Sequence, residues 1–224
     1  MGMIERLELE RALEQHFERK RVNFLEGYGL LSKPALILQC VPDEPLPLDL
    51  TAEALVDAIR AGGGPAADDG WWHGLKNGDR PCLTFEGLST RRRSYPEDWA
   101  SDVHVDGSLI VGVWKFPPSS SFEPDTVPGV GVGDFYVQLF KDFAYLASKL
   151  YEAVAYSGVL HVTCTMHHAD KLPLVNGHGQ ISVPASKRST LRWPIATVDG
   201  TGMSTVGDAM AAQFMRNYGW KYRK

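Results

Sequence analysis

A chain of 224 residues with 44% hydrophobic, 22% charged and 10% aromatic side chains has an ordinary globular composition, which excludes the disordered, collagenous and membrane classes. Its length suits a single core. The net charge of −4 withholds the overall positive field that drives sequence-independent phosphate binding, so any nucleic-acid contact has to be local.

In chain order, Ile4 to Arg21 places Leu9, Leu13 and Phe17 as one apolar stripe among Glu and Arg, the pattern of an exposed amphipathic helix. This helix, taken as residues 1–22, either packs on the domain that follows (23–224) or pairs with another copy or a partner. Met1 to Lys20 lacks the uninterrupted apolar core of a secretory signal, and the apolar runs are too short to cross a bilayer; a cytoplasmic location is expected. Pro34 to Val41 is a continuous apolar run closed by Pro42, which predicts a buried strand at the centre of a sheet. Thr51 starts a predicted helix to Ala61, with Leu55, Val56 and Ile59 facing inward and Gly62-Gly63-Gly64 ending it.

Gly62 to Arg80 reads as a long loop carrying Trp71 and Trp72. Cys82 to Phe85 is a predicted strand. Asp106-Gly107, between Val103-His-Val105 and Leu109 to Trp114, signals a tight hairpin. Pro117 to Gly133 is irregular, and Asp134 then opens a helix to Ser157 with Leu139, Phe143, Leu146, Leu150 and Val154 at helical spacing before Gly158. Val159 to Met166, Ile181 to Val183 and Leu191 to Val198 are predicted strands, and a last helix starts near Ser204 or Thr205 and ends at Gly219. Helices set between antiparallel strand runs predict an α+β fold: an antiparallel or mixed sheet covered by two long helices, with the amphipathic helix in front.

No catalytic residues are assigned, because no Ser/His/Asp or Cys/His triad follows from the spacing, and no cofactor is expected. Cys40, Cys82 and Cys164 sit far apart in apolar or strand-like runs, the pattern of reduced thiols. His161, Cys164, His167 and His168 are the one dense set of potential metal ligands, with Asp170 nearby, but strand alternation splits them between two faces. Gly129 to Asp134 lacks the Lys-Ser/Thr ending of a phosphate-binding loop. Arg91-Arg92-Arg93 with Tyr95 and Trp99 is a local basic and aromatic combination.

The helix ending in Phe17-Glu-Arg-Lys-Arg21, the strand Ala35 to Pro42, Leu46 to Leu50, Phe85-Glu-Gly-Leu88, Val105-Asp-Gly107 and the long helix before Val159 come in an order that resembles a known arrangement. It is similar to the C-terminal sensor-type region that follows the AlbA-like, Schlafen-related nucleic-acid-binding module in bacterial helix-turn-helix or ATP-binding proteins. The resemblance implies a regulatory or ligand-sensing domain whose partner is such a module, and it carries over no catalytic residue.

A non-catalytic sensing or interaction domain is therefore expected, with Trp71, Trp72, Arg91, Arg93 and Trp99 as the site for a small anionic ligand. Two rivals are a metal-dependent hydrolase or nuclease using His161 to His168, and an oligomeric assembly subunit joined through the first helix.

Overall fold

The computed structural model of the protein describes residues 3–61, 75, 79–94, 97–114, 131–172, 174–175, 181–182, 188–199 and 202–218. In chain order these form α1 (Met3–Gly27), β1 (Ala35–Pro42), α2 (Glu53–Ala61), β2 (Cys82–Leu83), β3 (Gly87–Ser94), β4 (Glu97–His104) and β5 (Leu109–Val113). The second half adds β6 (Gly131–Val132), α3 (Gly133–Ala153), β7 (Val159–His167), β8 (Leu174–Val175), β9 (Ile181–Ser182), β10 (Thr190–Arg192), β11 (Ala196–Asp199) and α4 (Met203–Asn217). No helix among the described residues is long and apolar enough to cross a membrane.

The fold is α+β. Eight strands form an antiparallel sheet in the order β10-β7-β1-β5-β4-β3-β2, with β11 also on β7. The expected central strand, β1, lies between β7 and β5 and is buried along its whole length, as its apolar residues require; its one polar residue, Gln39, is satisfied by donating to Phe17 O at 2.9 Å. A small second sheet joins β6, β8 and β9.

Strand alternation gives the main sheet two faces. On one, Leu36, Leu38, Val111, Val113, Val162 and Met166 share a core with Leu139, Phe143, Leu146 and Phe214 of the helices; α3 packs against both α2 and α4. On the other, Ala35, Ile37, Ala100 and Ile110 pack against Phe24, Leu25 and Leu30 from α1 and the chain just after it.

Several boundaries differ from the expected ones: β4 starts at Glu97, well before Val103, and β2 stops at Leu83 rather than Phe85; three others have a plain physical reason. The first helix runs past Arg21 to Gly27, because Phe24 and Leu25 continue its buried side; Gly29 ends it at φ 65° with Leu30 N–H donating to Leu25 O at 2.7 Å, a left-handed cap that glycine adopts at no cost. The buried stripe consequently starts at Phe17, 4% exposed, while Leu9 remains 50% exposed. Helix α3 stops at Ala153 rather than near Gly158, because Ala155 itself takes φ 51° and Tyr156 N–H closes onto Tyr151 O at 2.9 Å. The predicted strand Leu191 to Val198 is two strands, because Pro194 has no N–H to give β7 and Trp193 turns inward to donate its indole N–H to Met210 O at 3.2 Å. Of the expected loop Gly62 to Arg80, Leu75 is fully buried, its N–H donating to the buried Asp142 carboxylate at 3.1 Å.

Gly112 of β5 lets α1 lie directly on the sheet. A Cβ there would stand 2.2 Å from the Phe24 ring and 3.1 Å from Ile37. Gly112→Val is expected to lower the unfolding free energy by about 1–3 kcal/mol and to speed amide exchange in α1 more than in α3. Equal acceleration in both helices would show that α1 is not held through this contact.

Candidate binding cleft under α1

Strands β3 and β4 put polar side chains on the face that α1 covers. Ser89 pairs with Asp102 in the ladder, so both side chains point the same way, and His104 follows two residues later. Tyr28, at the end of α1, reaches down to them: its hydroxyl donates to Asp102 Oδ1 at 2.8 Å and lies 2.9 Å from Ser89 Oγ. The Tyr28 ring is 4.5 Å from that of Phe24 and 5.5 Å from that of Trp114, an aromatic row along the flank of the helix.

A cleft of about 250 Å³ opens beside this set, with Phe24, Tyr28, Phe85, Leu88, Asp102 and His104 among its walls. Phe85 stands wholly exposed at the rim, and the Glu86 side chain is 61% exposed. Burial raises the Asp102 carboxyl above its usual range, although the Ser89 and Tyr28 hydroxyls pull it back in part. Burial likewise raises the Tyr28 phenol. The cleft thus holds a half-buried carboxyl in apolar surroundings, with a neutral hydroxyl donor fixed against it.

His104 extends the polar strip toward the β4–β5 turn. Burial first, and the nearby Lys20 second, push its imidazole down to about 4; its Nε2 is enclosed and has no hydrogen-bond partner among the described residues. Lys20 bridges to Asp106 at 2.9 Å and ties α1 to the turn. Burial alone would raise Asp106, but the hydrogen bonds from Lys20 and Ser108 outweigh it and hold the carboxyl at about 2.

The residues expected from the sequence to form a site are placed differently. Trp71 and Trp72 lie outside the described residues, as does the side chain of Arg93, whose backbone pairs with Asp98. Arg91 is exposed and sits opposite Ala100, on the α1 side of the sheet, whereas the adjacent Trp99 points to the other side and is 1% exposed in the core of α3 and α4. Arg91 and Trp99 therefore do not converge.

The proposed metal ligands are also dispersed. His161 Nε2 lies 2.8 Å from Asp43 Oδ1 and its Nδ1 3.1 Å from Thr197 Oγ1, which occupies both ring nitrogens. Cys164 is buried on the opposite face, where burial pushes its thiol well up. His167 and His168 both meet the carbonyl of Leu31, and Asp170 is exposed in a short 3-10 turn, Ala169–Lys171. Among the described residues no three His, Cys, Asp or Glu are grouped as a metal ion requires.

The sequence carried one legible trace of the cleft: alternation in β4 sets Asp102 and His104 on the face opposite Trp99 and Val103. Tyr28 had no such trace, since it meets Asp102 across 74 positions. No protein-family model, curated protein or solved structure matches the chain.

Proposed function

We propose that the chain is a non-catalytic sensing or interaction domain that binds a small organic cation, an amine or ammonium group on a flat apolar body, in the cleft beside α1. The observation that carries this reading is the Tyr28–Asp102 hydrogen bond on the cleft wall. A carboxylate drawn out of water is costly unless paired, and a ligand cation would supply the pair. The faces of Phe24, Tyr28 and Phe85 attract cations through their ring quadrupoles. Binding rather than turnover is supported by the Tyr28 phenol, which burial makes harder to ionise and so unsuited to act as a base at neutral pH.

This ligand has the opposite charge to the one expected from Arg91 and Arg93, because the cleft presents Asp102 and Glu86. The reading includes a cytoplasmic location, supported by the free thiols Cys40, Cys82 and Cys164. It also includes a regulatory partner, such as the nucleic-acid-binding module implied by the sequence resemblance. Helix α1 borders the cleft and carries Ile4, Leu7 and Leu9 exposed on its first turns, which makes it the element through which occupancy would reach that partner or a second copy.

Thermal-shift and calorimetric titrations of primary and quaternary aromatic amines, each beside its neutral isostere, test the reading. Cations are expected to raise the unfolding midpoint and the isosteres to leave it in place. Asp102→Asn keeps the shape and an acceptor for Tyr28, and is expected to weaken cation binding by about 2 kcal/mol, about 30-fold. Equal binding of neutral isosteres, or an undiminished affinity in Asp102→Asn, would overturn it.

A further inference from the structure

On another part of the α1 side, where β7 and β10 end, the charge is reversed. Arg21 is 8% exposed; its Nε and Nη2 donate to Glu18. The Nη2 of Arg192, on β10, reaches the same carboxylate at 3.1 Å. Two guanidiniums thus share one acid, and the Arg21 hydrogen bond is the main reason that acid stays below its usual range. Arg21 Nη1 is enclosed and has no hydrogen-bond partner among the described residues. A buried guanidinium nitrogen left in this condition is costly and demands an acceptor.

His167 repeats the pattern from the sheet. Its Nε2 meets Leu31 O at 2.9 Å, and His168 Nε2 meets the same atom at 3.1 Å. A carbonyl only accepts, so both rings carry their proton on Nε2. That leaves His167 Nδ1, enclosed and likewise without a partner among the described residues, as the atom that protonation would turn into a second donor. Burial is the first reason why His167 holds a proton less readily than usual; the Leu31 bond works the other way, and His168, Arg21 and Lys171 lower it further. Arg21, Arg192 and Lys171 outnumber Glu18, so the local field is positive. An anion placed here would meet the one Arg21 nitrogen that Glu18 leaves unpartnered and the edge of the Arg192 guanidinium turned away from Glu18.

We infer that Arg21, Arg192 and His167 form a binding site for a small oxyanion of the phosphoryl type, separate from the amine cleft and independent of it. The anion would take Arg21 Nη1 and the outer edge of Arg192 as donors, and would favour the protonated form of His167. The same chemistry describes free phosphate and the phosphomonoester of a larger ligand.

Calorimetry and proton NMR of the full chain at constant ionic strength distinguish these, using inorganic phosphate and adenosine monophosphate as probes with chloride as the control. Saturable one-to-one binding is expected, with the His167 and His168 ring protons shifting together and the affinity falling about tenfold in Arg192→Ala. The Arg192 side chain is 63% exposed, so that variant should fold normally; Arg21→Lys, which keeps the charge but removes the Nη1 donor, should also weaken binding. Phosphate bound in preference to the monophosphate assigns the site to the free anion, and the reverse assigns it to a phosphorylated ligand; either supports the site. If neither probe saturates, or if binding is the same in Arg192→Ala and leaves the histidine rings unmoved, the inference is overturned.

Discussion

Phe214→Ala is expected to lower the unfolding free energy by about 3–5 kcal/mol, the largest effect of any single truncation considered. Phe214 is fully buried, and its ring centre lies 4.6 Å from that of Tyr136, 5.0 Å from Tyr218, 5.6 Å from Phe140 and 6.3 Å from Trp193. Four aromatic neighbours cannot all close in on an alanine without leaving their own rotamers, so the space would persist as a cavity. The loss should reach the sheet edge as well. Trp193, whose backbone N–H donates to Cys164 O at 2.9 Å between β10 and β11, packs on the same ring. Urea unfolding at neutral pH, with Phe214→Leu as the milder control, measures the effect. A loss below about 1 kcal/mol would mean that α4 folds apart from the sheet.

The second large effect is a loss of stability in mild acid centred on His104. Its ordinary value of 6.5 is lowered in the folded protein to about 4. The unfolded chain therefore binds the proton more tightly, so His104 costs nothing above about pH 6.5, destabilises progressively as pH falls toward 4, and adds no more below that. The whole shift corresponds to about 3 kcal/mol. Lys20 and His16 face it from α1, Glu86 from the β2–β3 turn and Asp106 from the β4–β5 turn. His16, lowered by burial and then by Lys20, acts in the same direction. Asp102, raised by burial, acts in the opposite one. His104→Gln removes one titration and leaves the others, so the difference between the two stability profiles isolates it: the variant should lose about 3 kcal/mol less than the parent between pH 6.5 and pH 4. Parallel profiles over that range would show that His104 takes up its proton normally in the fold.

Elements governed by local periodicity were readable in advance. The largely apolar run of β1 pointed to the sheet centre, the spacing of Leu139, Phe143, Leu146 and Leu150 to the buried side of α3, and Asp106-Gly107 to the hairpin, where Gly107 takes φ 86°. Boundaries set by one residue against its propensity were not: Ala155 adopts a conformation usually left to glycine, and Trp193-Pro194 splits what alternation alone joins. The cleft was the least legible part. Asp102 and His104 share a strand face by parity, but Tyr28 reaches Asp102 from the end of a helix that Gly112 admits against the sheet, and close approach of that kind has no local pattern. Arg91 and Trp99 illustrate the converse, since residues one step apart along the ladder are placed on opposite sides of the sheet.

The order in which β1 finds its partners bears on how the chain is made. Ala35–Pro42 is hydrogen-bonded to β5, which ends at Val113, and to β7, which ends at His167. At a ribosomal rate of about 5–20 residues per second, β1 is synthesised roughly 6–25 s before the last of β7. During that interval the nascent chain presents a strand that is apolar apart from Gln39 and whose second edge has no mate, which makes it a substrate for chaperones that hold extended apolar segments. Slow translation between β5 and β7 would lengthen that exposure, so soluble yield should respond to codon choice over α3 more than over α4.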